Sequence, residues 1–151
     1  MKPFYVLVTT SLVALFILYI INKTIYLSLA AQIGISVMFL FTAMGHFMFT
    51  EGMALMIPKI IPFKKEIVYI TGIIEIMGAF ALLFPKLTRP TAWFLIVFLI
   101  IMLPANIYGA IYQVDYQNAT YHGKGLNYLF LRIPLQVSYI LWLYFSSIKP
   151  L

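Results

Sequence analysis

The chain has 151 residues, of which 64% are hydrophobic and only 9% are charged. An average soluble domain carries about 25% charged residues, so this composition excludes an ordinary soluble protein and indicates a membrane protein. The net charge of +6 comes from lysines scattered between apolar segments, and only two arginines occur. This distribution is typical of membrane-flanking residues and argues against a nucleic-acid partner. The absence of cysteine excludes a dithiol redox centre.

Five apolar stretches are long enough to cross a bilayer, which needs about 20 mostly apolar residues. They occupy most of the chain and therefore predict an all-α, polytopic membrane protein with five spans. The first stretch has a basic start like a signal peptide, but small residues do not directly follow its apolar core, so we expect a retained helix. In chain order, the predicted spans cover residues 4–21, 25–48, 67–84, 91–111 and 127–145.

The segments that connect the predicted spans differ in length. Residues 49–66 and 112–126 form longer loops, whereas the other two connections are short. Because consecutive spans reverse direction, both longer loops fall on the same membrane face as the N-terminus. The first loop is interrupted by Pro58 and Pro62 but remains apolar, and the second is polar and rich in tyrosine.

Glu75 lies near the middle of the third predicted span, which contains no other charge. A carboxylate at that depth costs roughly 2.5–3.5 kcal/mol on insertion scales, so it should have partners on neighbouring helices. The rise of the helix places His46, Asn106, Arg132 and Gln136 in the same half of the membrane as Glu75. The simplest arrangement is one polar pocket beneath the two longer loops.

Each of these side chains also allows a purely structural interpretation. Arg132 could form an ion pair with Glu75, or extend to the lipid head groups and leave Glu75 protonated. His46 could be a hydrogen bonder at the membrane interface, and Asn106 could bind a backbone carbonyl freed by Pro104. We predict no metal site, and we interpret four methionines as packing or lipid contacts, namely Met44, Met48, Met53 and Met56.

Several different short motifs lie along the chain, and their order and spacing together are fairly specific. They are Gly45-His46-Phe47, Met56-Ile57-Pro58, Ile61-Pro62, the run from Tyr69 to Ala79, Pro104-Ala105-Asn106-Ile107 and Arg132-Ile133-Pro134-Leu135-Gln136. This pattern resembles the DoxX-like family of integral membrane proteins over roughly residues 31–145.

The resemblance implies a four-helix DoxX-like bundle within residues 25–151. Residues 1–24 would then form an additional N-terminal transmembrane helix and its link. It also implies a location in the bacterial cytoplasmic (inner) membrane. The residues of the matching motifs that we predict to bind a ligand are His46, Tyr69, Glu75, Asn106, Arg132 and Gln136.

Three functions remain open from the sequence. The first is a ligand-binding or accessory subunit with a quinone or a lipid in the pocket, for which the resemblance implies an oxidoreductase-type membrane complex. The second is a membrane enzyme in which Glu75 and His46 exchange protons with a lipophilic substrate. The third is a structural assembly factor in which a pair between Glu75 and Arg132 holds the bundle together. The expected partners are the lipid bilayer, a lipophilic small molecule and either another membrane protein or a second copy of the chain.

Overall fold

A computed structural model describes residues 1–150 of the chain, and they are built from helices joined by turns and loops. Each of the five predicted spans corresponds to one long helix, so the all-α class is confirmed. The helices are α1 Lys2–Asn22, α2 Leu27–Met48, α3 Thr50–Leu55, α4 Lys64–Leu82, α5 Thr88–Ile111 and α6 Leu126–Leu143, and α6 continues into a π-helical turn over Tyr144–Ile148.

Four helices within residues 1–150 are long and apolar enough to cross a membrane. The fifth long helix, α4, differs in composition because Lys64, Lys65, Glu66 and Glu75 all lie within its 19 residues. The four apolar helices support a membrane location for the protein. They cover Lys2–Asn22, Leu27–Met48, Thr88–Ile111 and Leu126–Ile148.

Four of the long helices pack in a closed ring. Helix α2 contacts α4, α4 contacts α5, α5 contacts α6, and α6 with its π-helical turn returns to α2. Helix α1 packs against α2 and contributes Leu7 to the buried core. The ring order places α4 and α6 across the bundle from each other, which decides the partners available to Glu75.

The end of the bundle remote from the long loops is closed by interhelical hydrogen bonds. The side chains of Ser28 and Gln32 on α2 both donate to the carbonyl oxygen of Ser146, at 2.5 and 2.8 Å. The indole N–H of Trp142 donates to the carbonyl oxygen of Ala31 at 3.0 Å. These contacts fix the end of α6 against the start of α2. Gln32 therefore lies at the opposite end of the bundle from His46.

The two long loops contain more local structure than their composition indicates. The first loop includes the short helix α3, which the sequence analysis did not predict. In the second loop, Asp115 and Thr120 form an isolated antiparallel bridge. The Asp115 carboxylate accepts hydrogen bonds from Asn118 and Gln117, and the side-chain bond from Asn118 lowers the pKa of Asp115.

The two loops also pack against each other over the bundle. The rings of Phe49 and Tyr116 meet edge to face, with their centroids 5.9 Å apart. Gly52 in α3 lies so close to the second loop that a Cβ atom there would be 1.7 Å from the carbonyl oxygen of Tyr116. The loops therefore form a joint cover on one end of the helix ring.

Candidate functional site

A cavity of about 520 Å³ lies beneath the cover formed by the two loops. Its wall includes side chains from α2, α4, α5 and α6, together with Lys2 and Pro3 at the start of α1. Phe49 and Tyr116 contribute from the two loops. Met48 also lines the cavity and is largely exposed, so the cavity extends to the surface of the bundle. A volume in the range of about 300–1,000 Å³ is typical of small-molecule sites.

Glu75 lies at the α2–α4 side of this cavity and is only 7% exposed. The Thr42 hydroxyl on α2 donates to Glu75 Oε2 at 2.9 Å. The other carboxyl oxygen, Oε1, lies 3.6 Å from His46 Nε2. The buried acid therefore has two partners, and both are supplied by α2.

The second ring nitrogen of His46 is held by α4. Nδ1 lies 3.2 Å from the Val68 carbonyl oxygen and 3.0 Å from Thr71 Oγ1, whose own hydroxyl donates to the same carbonyl at 2.8 Å. A carbonyl oxygen only accepts hydrogen bonds, so this arrangement favours a proton on Nδ1. Nε2 then either accepts a hydrogen bond from a protonated Glu75 or, when the ring is an imidazolium, donates to the Glu75 carboxylate.

Close approach of α2 and α4 makes this contact possible. Gly72 lies one turn before Glu75 on α4, and a Cβ atom there would be 2.9 Å from His46 Cβ and 3.2 Å from the Phe47 ring. Small residues at helix interfaces allow such short interhelical distances. Gly72 thus lets the backbone of α4 reach the position at which Glu75 meets His46.

The ion pair between Glu75 and Arg132, one of the interpretations that the sequence left open, is not formed. Within residues 1–150, the two acid–base pairs closer than 4.0 Å are His46–Glu75 and the exposed Lys65–Glu51. The reason is the ring order, because Arg132 lies on α6, across the bundle from α4. Arg132 still lines the same cavity. The hypothesis of a structural assembly factor relied on a pair between Glu75 and Arg132, so it loses its main contact.

Asn106 and Gln136 meet on the α5–α6 side of the cavity. The Asn106 amide donates to Gln136 Oε1 at 3.4 Å, and the Gln136 amide donates to the Leu99 carbonyl oxygen. Leu99 directly precedes Ile100, whose carbonyl oxygen loses its helical donor because Pro104 has no N–H. Asn106 therefore bonds Gln136, and Gln136 bonds the carbonyl next to the freed one.

Tyr69 is the one predicted site residue that the structure does not bring to the cavity. The residue is 42% exposed, and its ring stacks on Phe47 with the ring centroids 5.8 Å apart. It borders a smaller surface depression between α2, the start of α3 and the second loop. The other five predicted residues, His46, Glu75, Asn106, Arg132 and Gln136, all line the main cavity. Whether they bind a ligand stays a prediction.

The apolar wall of the cavity is unusually rich in methionine. The chain has eight methionines, and all except Met77 line the cavity. Methionine is unbranched and polarisable, so it adapts to irregular apolar partners. The sequence interpretation of four of these residues as packing contacts did not foresee that they share one wall. The lining methionines are Met1, Met38, Met44, Met48, Met53, Met56 and Met102.

The chain matches the protein family described as a domain of unknown function, DUF8561, over residues 35–147. It belongs to this family. No curated protein and no solved structure matches the chain. The DUF8561 region runs from α2 to the π-helical turn and contains all six predicted site residues, whereas α1 lies outside it.

The sequence analysis did not identify two residues of the candidate site in this DUF8561 protein. Thr42 and Thr71 contact Glu75 and His46 directly, but neither was a candidate. Each threonine precedes a polar residue of its own helix by four positions, Thr42 before His46 and Thr71 before Glu75. Residues four apart lie on the same helix face, so this spacing was the available signal.

In the part of the chain that the structure describes, the cavity of this DUF8561 protein is lined by one histidine and one carboxylate, His46 and Glu75. Within residues 1–150, no group of three or more His, Cys, Asp or Glu side chains is placed to hold an ion. His46 and Glu75 alone would supply two ligands, whereas protein sites for zinc use three or four. The cavity instead offers hydrogen-bonding groups at its wall and a large apolar surface.

Proposed function

We propose that this protein binds a lipophilic small molecule with a polar head group inside the membrane, as a ligand-binding or accessory subunit of an oxidoreductase-type membrane complex. A quinone or a lipid has the required chemistry. One observation carries the proposal: a cavity of about 520 Å³ in which polar side chains from four helices share a wall with seven methionines. A pocket of this kind is mostly apolar and has a few convergent polar groups that orient the ligand.

The proposal includes α4 as a fifth membrane span. Its charged residues other than Glu75 lie in the first turn, where lysine side chains can reach the head groups. The face opposite Glu75 is apolar and exposed, with Ile70, Ile73, Met77 and Phe80. A helix of 19 residues is about 28 Å long, close to the thickness of the hydrocarbon core. Glu75 would then face the bundle interior, as polar groups in a membrane do.

We also propose a relationship between the DUF8561 region and the DoxX-like family, which carries with it a location in the bacterial cytoplasmic membrane. The motifs quoted above support it. So does the ring of α2, α4, α5 and α6, with α1 packed on one member, because the resemblance implies a four-helix bundle with one additional helix.

The binding proposal predicts that the protein retains its ligand through gentle purification. Organic extracts of detergent-solubilised protein should contain one dominant quinone or lipid, detected by mass spectrometry. Filling the cavity with Ala105→Phe should remove most of it, because the new ring would occupy the ligand's space. The matched control is Ala81→Phe on α4, which is half-buried but outside the cavity, and its extract should be unchanged. Equal amounts of bound molecule in both variants would contradict the proposal.

The enzyme alternative is favoured by one specific contact, the 3.6 Å separation of Glu75 Oε1 and His46 Nε2. Proton transfer needs direct contact or one intervening water, and catalytic contacts often tighten when a substrate binds. The two side chains are therefore close enough to pass a proton between them, directly or through one water, at the wall of the cavity.

This alternative predicts different behaviour for Glu75→Gln. Glutamine keeps the size of the side chain and can accept from Thr42, but it cannot exchange a proton. Ligand content should stay within about twofold, whereas deuterium uptake into the ligand from heavy water should fall by about 10²–10⁴-fold, the usual contribution of a general base. Absence of deuterium uptake by the unaltered protein would reject the enzyme alternative and leave the binding proposal intact.

A further inference from the structure

We infer that the ligand is an amphiphile with an anionic head, a carboxylate or a phosphate, and that Arg132 and Tyr139 bind this head while the methionine-rich wall receives the apolar tail. This inference rests on the proposed binding function and adds the charge and placement of the head group. It also excludes a neutral quinone as the preferred occupant.

The first argument is that the donors on the α6 side of the cavity lack acceptors. Arg132 Nε and the Tyr139 hydroxyl are buried, and neither has a hydrogen-bond partner within residues 1–150. Tyr139 is only 4% exposed, and both residues line the cavity. They are seven positions apart on α6 and therefore share one face of that helix. A buried donor without a partner is costly, so the geometry calls for an acceptor at this place.

The second argument is that the one carboxylate that residues 1–150 place at the cavity and the Gln136 side chain are already engaged elsewhere. Glu75 is bound by Thr42 and His46 on the α4 side, and no acidic residue within residues 1–150 comes within 4.0 Å of Arg132. The Gln136 side chain bonds Asn106 and the Leu99 carbonyl. A ligand with an acceptor group placed here would satisfy both Arg132 Nε and the Tyr139 hydroxyl.

The third argument concerns charge. A guanidinium group keeps its charge in proteins and offers a planar fork of donors that matches carboxylate and phosphate oxygens. Lys2 also lines the cavity, and the pKa of the Met1 amino group is lowered by burial and then by repulsion from Arg132, Lys124 and Lys2. Positive charge therefore collects at this end of the bundle. A neutral carbonyl would bond Arg132 but leave its charge uncompensated, whereas an anion neutralises it.

Binding of matched probes to the delipidated full chain in a neutral detergent tests the inference. Palmitate and hexadecanol share an apolar chain and differ in head charge, palmitoyl lysophosphatidate supplies a phosphate, and a short-chain ubiquinone is the neutral quinone. We expect palmitate or lysophosphatidate to bind roughly 10–100-fold more tightly than hexadecanol, the range that hydrogen bonds to charged groups contribute. Preference for one acid over the other separates a free fatty acid from a phospholipid as the source.

Two variants and their matched controls locate the head group. Arg132→Met should abolish the preference for the acid, whereas Arg89→Met should not, because Arg89 is the other arginine of the chain and lies outside the cavity. Tyr139→Phe should weaken palmitate binding severalfold, and Tyr19→Phe on the exposed face of α1 should not. Circular dichroism checks the fold of each variant. If Arg132→Met does not fold, the binding measured for Tyr139→Phe and its control tests the inference.

The possible outcomes distinguish the anionic head group from the proposed ligand-binding function on which it rests. Equal binding of palmitate, hexadecanol and quinone, unaffected by Arg132→Met, would overturn the anionic head group while the cavity remains a binding site. Failure of every probe to bind, together with ligand-free protein after gentle purification, would overturn both.

Discussion

Replacing either His46 or Glu75 by leucine is expected to lower the free energy of unfolding by about 2 kcal/mol, and replacing both should recover most of this loss. Each single change leaves the other polar group buried without its partner. Breaking a buried ion pair costs about 3–5 kcal/mol in soluble proteins, while interhelical hydrogen bonds in membranes contribute about 0.6–1.7 kcal/mol. The expected value lies between these ranges because Thr42 and Thr71 remain as partial partners.

The measurement is a double-mutant cycle in which circular dichroism monitors reversible unfolding of each variant in detergent. We expect a coupling energy of about 3 kcal/mol between the two sites, because two single losses of about 2 kcal/mol each would leave a loss of only about 1 kcal/mol in the double variant; groups in direct contact reach this value. The matched control is the exposed pair Lys65–Glu51, whose nitrogen and oxygen are 3.2 Å apart. Exposed pairs contribute little, so alanine substitutions there should show almost no coupling. Strictly additive losses at His46 and Glu75 would show that the two side chains do not form a pair.

The second large effect is expected at Gly52, where Gly52→Ala should lower the free energy of unfolding by about 1–3 kcal/mol. The added Cβ would lie 1.7 Å from the Tyr116 carbonyl oxygen and 2.4 Å from its carbonyl carbon. Both are backbone atoms, so no change of side-chain rotamer relieves the overlap and the two loops must separate. Because Phe49 and Tyr116 cover the cavity, bound ligand should also dissociate faster.

Gly45→Ala provides the matched control for this loop contact. Gly45 is likewise helical and lines the cavity, but the nearest atom to an added Cβ is the flexible Met53 methyl group at 3.5 Å. Alanine is favoured over glycine within helices by about 0.5–1 kcal/mol, so Gly45→Ala should be neutral or slightly stabilising. Thermal unfolding and amide hydrogen exchange of residues 112–125 compare the two variants. Equal stability and equal exchange would refute the contact between the loops.

The positions of the long helices follow from the sequence because each contains a long apolar segment that is recognisable from hydropathy. Hydropathy alone therefore predicted a helix near each observed one, including α4 around Glu75. The short helix α3 was not predicted. Isolated helices of this length are unstable in water, so its six residues depend on contacts with α4 and the second loop.

The candidate site shows the same division between local pattern and packing. Alternation of helix direction was enough to place five of the six predicted residues in one half of the bundle, where they line one cavity. It could not exclude Tyr69, whose helix turns its ring toward Phe47 and the surface. It also could not show that Gln136 reaches the backbone of α5, since this depends on the distance between two helices.

Composition and periodicity along the chain are enough to show that the protein is helical and suited to a membrane. They also show that an acid near the middle of a predicted span needs partners. The identity of these partners depends on packing, because the order of helices in the ring places α2 beside α4 and α6 opposite it. This order makes His46 the partner of Glu75 and leaves Arg132 at the cavity without an acid of its own. That order arises from contacts between segments distant in the sequence.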